Sequence, residues 1–120
     1  MDKRKWKKKI IEQCNAVNTY RDAFLPVIET LASTLEQRDK TYTEFIESGG
    51  KAALPYTNKN GSTNLSKNPL LVLWDDLNKS ALAYWRDLGL TPSGLKKIDD
   101  GALQKKKISA LAEVLKDLGG

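Results

Sequence analysis

The sequence contains no histidine and only one cysteine, and these scarcities exclude most chemistry that enzymes perform with side chains. Without histidine, the chain has no imidazole to act as a general base or as a metal ligand. Cys14 alone can form neither an internal disulfide nor a cysteine cluster for zinc, and we interpret it as a small buried hydrophobic residue. We therefore expect a protein that is not an enzyme and that holds no metal or cofactor.

The chain also lacks long hydrophobic runs and glycine-rich phosphate loops. No apolar stretch approaches the roughly 20 residues needed to cross a bilayer, so we expect no membrane contact. The first lysines are followed by Ile10-Ile11 and then at once by Glu12 and Gln13, which is not a signal-peptide core. No loop ends in Gly-Lys-Ser/Thr, so we do not expect an ATPase. These absences predict a cytoplasmic protein.

Two acidic pairs, Asp75-Asp76 and Asp99-Asp100, could suggest paired catalytic carboxylates. Neighbouring residues on a helix point about 100° apart, so they cannot face one substrate or one metal together. We interpret the pairs as solvated charge and as a cluster at a helix start.

Charge is distributed unevenly along the 120 residues, whose net charge is +5. Residues 1–9 carry six cations and one acid, whereas residues 10–50 are net acidic and residues 51–68 contain three lysines and no acid. Segregated positive charge favours an anionic partner, most often nucleic acid, although a basic tail can also serve only solubility.

The stretch from Asn68 to Ile98 organises the rest of the chain. Asn68 and Pro69 supply a capping side chain and a first-turn proline, and Gly89 can end the helix in a left-handed conformation. Thr91 and Pro92 repeat the start signal for the next helix. The apolar positions recur at helical spacing and spread wider than one core contact requires, which predicts burial within the subunit and against another. The residues that we assign to this subunit interface are Trp74, Leu77, Leu82, Tyr84 and Trp85.

A second amphipathic pattern runs from Pro26 to Ser48 and ends at Gly49-Gly50. Because it nearly equals the 69–88 helix in length, the two most simply pack as an antiparallel hairpin. The connection between them is longer than usual. We favour an ordered, aperiodic crossover there; the alternative is a small β-ribbon around Asn60-Gly61 that projects Lys51, Lys59 and Lys67 toward a partner.

The predicted fold is all-α: one domain, residues 1–120, built on a long antiparallel helical hairpin. Residues 1–24 form a basic helix over Lys3–Val17 and a connection, residues 25–90 the oligomerisation hairpin, and residues 91–120 short C-terminal helices. Asp99-Asp100-Gly101 is expected to separate Ser93–Ile98 from a last helix containing Leu103 and Leu118.

The N-terminal cluster is the strongest nucleic-acid signal in the chain. Several of its cations can reach a phosphate backbone together, which predicts binding that depends strongly on salt and little on sequence. Trp6 could stack on bases, but its place in an apolar stripe favours a core anchor. The candidate DNA-binding residues are Lys3, Arg4, Lys5, Lys7, Lys8 and Lys9.

Several motifs resemble the phage terminase small subunits. The resemblance covers roughly residues 19–98 and is carried chiefly by Asn-Pro-Leu-Leu at 68–71, Ala-Leu-Ala-Tyr-Trp-Arg at 81–86 and Leu-Gly-Leu-Thr-Pro-Ser-Gly-Leu at 88–95. Upstream it includes Val-Ile-Glu-Thr-Leu-Ala at 27–32, Arg38-Asp39, Ser48-Gly49-Gly50 and Tyr-Thr-Asn-Lys-Asn-Gly at 56–61.

The resemblance implies a non-enzymatic subunit that oligomerises, often as a ring, through a helical hairpin. It also implies binding to double-stranded viral DNA at the packaging-initiation site and regulation of a large subunit that holds ATPase and nuclease activities. Many members have an N-terminal helix-turn-helix, whereas fewer than 26 residues precede this hairpin. DNA contact is therefore expected from the first helix alone, repeated around an assembly. The rivals are a helical assembly adaptor without DNA binding and a small transcriptional regulator, although no recognition helix is found.

Overall fold

The computed structural model describes residues 1–119, which form an elongated, mostly helical molecule of 84 × 32 × 20 Å. Its helices are α1 (Lys3–Ala16), α2 (Leu25–Glu47), α3 (Pro69–Asp87) and α4 (Pro92–Gly119), with a 3₁₀ turn at Asp22–Phe24. Strands β1 (Ala53–Thr57) and β2 (Thr63–Lys67) form a ribbon between α2 and α3. The predicted all-α hairpin is confirmed. Within residues 1–119, no helix is long and apolar enough to traverse a bilayer.

The core lies between α2 and α3, with α1 packed along α2. Its fully buried side chains recur every three or four residues on α2, so one face of that helix is sealed from water. Burying each large aliphatic side chain contributes about 1.5–3 kcal/mol, which makes this seam the main source of stability. The buried apolar residues of the core cluster are Ile10, Cys14, Ile28, Leu31, Ala32, Leu35, Ala81 and Leu88.

Helix α1 runs antiparallel to α2. The first turn of α1 lies beside Glu36 and the second turn beside Glu29, because the Lys3 backbone N–H donates to Glu36 (2.7 Å) and Lys7 pairs with Glu29 (2.9 Å). Asp2 caps α1 by accepting from the Lys5 N–H at 2.9 Å. The end of α1 is closed by Asn18 at φ 61°, a left-handed conformation that asparagine tolerates better than most residues.

Asn68 performs two tasks at the start of α3. Its side-chain oxygen accepts from the Leu70 N–H at 3.0 Å, which is the predicted cap. Its side-chain amide donates to the Lys51 carbonyl at 3.0 Å, and its backbone N–H donates to the Ala52 carbonyl at 2.9 Å. The nearly buried Asn68 therefore ties the base of the ribbon to the hairpin.

The turn from α3 to α4 follows the predicted capping residues. Gly89 has φ 73°, and the Leu90 N–H donates to the Trp85 carbonyl at 2.8 Å, which closes the last turn of α3. Thr91 accepts from the Gly94 N–H at 3.0 Å and so caps α4. A β-carbon on Gly94 would collide with the Arg86 carbonyl, so only glycine lets the two helices approach this closely.

Two expectations were wrong in detail. The favoured aperiodic crossover is instead the β-ribbon, with Pro55 opposite Leu65 and Tyr56 opposite Asn64. The short C-terminal helices are one 28-residue helix that passes through Gly101 without a break. A single glycine costs a helix only about 1 kcal/mol, and the lysines, leucines and alanines around it have high helix propensity.

Beyond its first two turns, α4 projects away from the hairpin. Every side chain from Lys96 to Gly119 is exposed. The apolar residues of its second half recur with spacings of three and four, so they form one uncovered stripe. The stripe consists of Ile108, Leu111, Leu115 and Leu118, which are 58–79% exposed.

Candidate nucleic-acid interface

The outer face of α1 presents four exposed cations: Arg4, Lys5, Lys8 and Lys9. At about 100° per residue, these positions lie opposite the side chains that α1 buries. Within residues 1–119, none of the four has a carboxylate within 4.0 Å, so their charge is not neutralised internally. We call these four residues the α1 basic face.

The other two candidate residues are placed differently. Lys7 lies toward α2 and forms the ion pair with Glu29, whose pKa is lowered by the Lys7 hydrogen bond and by its positive charge. Lys3 is exposed, while its backbone N–H holds Glu36. The structure therefore brings four of the six predicted cations onto one outward face and directs Lys7 to an internal contact.

Trp6 and Asp39 fix the orientation of this face. The Trp6 indole N–H donates to Asp39 Oδ2 at 2.7 Å, and Arg38 Nη2 lies 3.1 Å from Asp39 Oδ1. The half-buried Trp6 ring is also within cation–π distance of Lys9, at 5.4 Å, and of Arg38, at 5.5 Å from its centroid. Trp6 is thus a packing and hydrogen-bonding anchor, as its place in the apolar stripe predicted.

The contacts of Asp39 also lower the pKa of its carboxyl group. Burial alone would raise the pKa of Asp39, but hydrogen bonds from Trp6, from the Met1 amino group and from Arg38 outweigh it and hold the pKa below its ordinary value. The carboxylate therefore stays charged and keeps α1 against α2 at neutral pH. We call the contacts of Glu29, Glu36 and Asp39 with α1 the dock. The dock holds the four cations on a fixed helix and not on a flexible tail.

Sequence reasoning missed the acids that form this dock. Glu29, Glu36 and Asp39 are spaced by seven and three residues, so they lie on one face of α2. In an antiparallel pair, that face matches Lys7, the first turn of α1 and Trp6. Comparing these spacings could have separated inward from outward cations.

The five predicted interface residues lie on two flanks of α3 instead of one patch. Leu77 and Tyr84 are two helical turns apart and share one side, while Leu82 and Trp85 share another, about 120° away. Trp74 packs against Tyr42 of α2, with ring centroids 5.6 Å apart and ring planes inclined by 39°. All five keep exposed area, and Leu82 is the most open at 47%.

Helix α1 distinguishes the two flanks. Trp85 lines a hollow with Gln13 and Val17 at the end of α1. Arg38 contacts both the Trp6 ring and Asn78, at 5.5 Å from the ring centroid and 3.4 Å from Asn78 Oδ1. The flank of Leu82 and Trp85 therefore lies beside α1, and the flank of Leu77 and Tyr84 lies on the far side.

These features define a basic helical-hairpin protein with one charged outer helix and uncovered apolar flanks. The family model described as "Phage terminase, small subunit" matches residues 3–104, so the chain belongs to that family. This family membership gives the protein a role in phage DNA packaging. No curated protein and no solved structure matches the chain significantly.

Proposed function

We propose that this protein is the non-catalytic small subunit of a DNA-packaging terminase in the cytoplasm of the bacterial host. It assembles through the hairpin of residues 25–90, binds double-stranded viral DNA at the packaging-initiation site with the α1 basic face, and recruits and regulates the ATPase-nuclease large subunit. The α1 basic face carries this proposal, because it combines four unpaired cations with an internal dock that keeps them facing solvent.

Phosphate contact explains this arrangement better than solubility does. A solubilising tail needs no fixed geometry, whereas Trp6 and Asp39 hold α1 along 14 residues of helix. Each neutralised phosphate releases counterions, so four cations contribute a slope of about −3.6 in log K against log salt. Lysine and arginine on one helix face give affinity with weak sequence choice.

Self-assembly would increase the modest affinity of a single subunit for DNA. The two apolar flanks of α3 differ, since only one lies beside α1, so a contact between copies would join unlike surfaces. Such head-to-tail contacts close into rings when the rotation permits, and Leu77 with Tyr84 would then face Leu82 of the next copy. Repeating the α1 basic face around a ring increases avidity for DNA without any new contact.

Helix α4 is our proposed contact for the large subunit. The apolar stripe of Ile108, Leu111, Leu115 and Leu118 lies beyond residue 104, where the family match ends. A surface outside the family-wide region suits a contact that must be specific to one packaging system. A contiguous exposed apolar stripe suits a contact with another protein.

The central test measures DNA binding against salt, together with the assembly mass by native mass spectrometry. We expect an oligomer that binds duplex DNA at 50 mM salt and weakens steeply as salt rises. In the variant with Arg4, Lys5, Lys8 and Lys9 changed to alanine, affinity should fall for all sequences alike and the slope should flatten by about 3–4 per contacting subunit.

Two matched controls distinguish the loss of the α1 basic face from a general loss of positive charge. Changing Lys105, Lys106 and Lys107 to alanine removes three exposed cations from α4 and should leave the slope unchanged. Lys7→Ala removes a cation within α1 that is already paired, so its effect should be much smaller than that of Lys8→Ala. If the protein is a monomer that does not bind duplex DNA at 50 mM salt, the proposal is refuted and a structural adaptor is favoured. If it is a dimer that binds one defined operator, a transcriptional regulator is favoured.

A further inference from the structure

The β-ribbon projects from the end of the hairpin opposite to α4. Its tip is fixed by Asn58, whose side-chain oxygen accepts from the backbone N–H groups of Asn60 and Ser62, both at 3.0 Å. Gly61 adopts φ 81°, as a tight hairpin turn requires. Thr57 and Thr63 share a hydrogen bond at 3.2 Å across the last strand pair. Together with Asn68 at the base, these bonds define both ends of the ribbon.

The ribbon has no core of its own. In β1 only Leu54 is half-buried, and every residue of β2 is exposed. An isolated two-stranded hairpin is marginally stable in water. Because this ribbon buries so little against its own subunit, both of its faces are available for a contact outside the subunit.

The charge of the ribbon indicates the chemistry of that contact. Residues 51–68 contain Lys51, Lys59 and Lys67 and no acidic residue. All three lysines are exposed, and within residues 1–119 none has a carboxylate within 4.0 Å. Such a surface complements a polyanion.

The uncharged side chains do not form a protein-binding patch. Directly paired residues lie on the same face of a ribbon, so Tyr56 and Asn64 share one face, while Pro55 and Leu65 share the other. The two large exposed apolar side chains, Tyr56 and Leu65, therefore point to opposite sides. Amides and hydroxyls, which can donate and accept hydrogen bonds, make up much of the remaining surface.

We propose that the ribbon is a second DNA-contacting element, which inserts into the major groove of a duplex while its lysines contact the flanking phosphates. This inference rests on the proposed function, namely that the protein binds DNA. The major groove is about 12 Å wide and admits a two-stranded ribbon, whose strands lie about 4.8 Å apart. The face of Tyr56 and Asn64 supplies the groups that meet base edges there.

The position of the ribbon fits simultaneous contact with the α1 basic face. Helix α1 begins beside Asp39, eight residues or about 12 Å before α2 ends at Glu47. The ribbon continues from that end, whereas α4 leaves from the other. Both basic elements therefore lie in the same half of the molecule, and we propose that one duplex along this half contacts both.

The test compares the full-length wild-type protein with a ribbon variant in which Lys51, Lys59 and Lys67 are changed to alanine. For the ribbon variant we expect a salt slope smaller by about 2.7 per contacting subunit, at 0.9 for each phosphate. The variant that removes Lys105, Lys106 and Lys107 loses the same charge at the far end and should keep the wild-type slope. Circular dichroism verifies that each variant remains helical.

Dimethyl sulfate provides an independent readout, because it methylates guanine N7 in the major groove. Wild-type protein should protect guanines on a bound duplex, and the ribbon variant should lose part of that protection even where the α1 basic face still holds the DNA. Asn64→Ala should lose the same protection without changing the salt slope, since it removes no charge.

The outcomes separate this inference from the proposed function. If wild-type protein binds DNA and the α1 variant weakens it, but the ribbon variant keeps its slope and protection, the ribbon assignment is overturned and the proposed function stands. If the ribbon variant instead changes the assembly mass, the ribbon joins copies of this chain and the assignment is also overturned. If wild-type protein binds no duplex, both fail.

Discussion

Replacing Asp39 with asparagine tests whether the α1 basic face depends on its internal dock. The change preserves the shape of the side chain and one oxygen, which can still accept from Trp6, but it removes the negative charge. That charge holds the Trp6 indole at 2.7 Å, the Met1 amino group at 3.2 Å and the Arg38 guanidinium at 3.1 Å. The perturbation therefore loosens α1 without leaving a cavity.

The expected cost is moderate. A hydrogen bond to a charged group contributes about 1.5–3 kcal/mol when it is well buried. Asp39 retains 27% side-chain exposure, and the asparagine oxygen keeps part of the Trp6 bond, so we expect a loss of about 1–2 kcal/mol. For a chain of this size, that corresponds to a decrease in Tm of about 4–8 °C.

Urea unfolding with Asp75→Asn as the matched control measures this loss. Asp75 pairs with Lys79 at 3.4 Å but is 59% exposed, so its replacement should change the free energy of unfolding by less than about 0.5 kcal/mol. DNA binding adds a sharper distinction. Asp39→Asn raises the net charge of the protein, yet it should weaken DNA binding because the α1 cations lose their fixed orientation.

The pH dependence follows from the lowered pKa of Asp39 in the folded state. A carboxyl group whose pKa is depressed by folding stabilises the protein above its unfolded pKa of about 4, and this contribution is lost as pH falls through the folded pKa. The stability gap between wild type and Asp39→Asn should therefore be constant from pH 7 to 5 and narrow below about pH 4. Equal stability of wild type and Asp39→Asn at pH 7 would refute the stabilising role of Asp39. Unchanged DNA binding would refute the dependence of the α1 basic face on Asp39.

The two other predictions concern positions where a local contact sets the fold. Gly94→Ala should destabilise the protein by about 2 kcal/mol, because its β-carbon would meet the Arg86 carbonyl. Gly101 lies on the same helix with open space around it, so Gly101→Ala should stabilise the protein by about 0.5–1 kcal/mol. Thermal unfolding of the two variants measures this difference. Asn68→Ala should cost about 1–2 kcal/mol and speed hydrogen exchange of the ribbon amides, since it removes the α3 cap and the bond to Lys51; unchanged ribbon exchange would contradict the tie.

The hairpin and its boundaries could be predicted because their signals are local. Asn68 and Thr91 each cap the helix that begins one residue later, and Gly89 supplies the left-handed residue that ends α3. Each of these effects involves atoms within a few residues along the chain, so the printed sequence contains them completely.

The ribbon and α4 could not be predicted with the same success. The ribbon is held at its base by Asn68 bonds to Lys51, 17 residues away, which no short-range pattern shows. For α4, the sequence signal at Gly101 was real but weak. Its cost of about 1 kcal/mol is smaller than the summed helix propensity of the flanking residues.

The candidate site was predicted by residue type but not by direction. Composition identified the cations of residues 3–9, and helical spacing places Lys7, three residues before Ile10 and seven before Cys14, nearer the buried side than Lys8. The partner of Lys7 is not local: Glu29 lies 22 residues away in sequence and becomes its neighbour only when α1 packs antiparallel to α2.

The acidic residues of α2 therefore determine which cations of α1 face solvent. Acids that face α1 neutralise or hold its inner side, so the excess positive charge of the N-terminal segment remains on the side away from the hairpin. Moving Glu29 or Asp39 one position along α2 would turn its side chain about 100° away from α1, and its contact with α1 would be lost. The orientation of the α1 basic face is thus a property of the α1–α2 pair: variants of the α1 cations change its charge, whereas Asp39→Asn in α2 changes its placement.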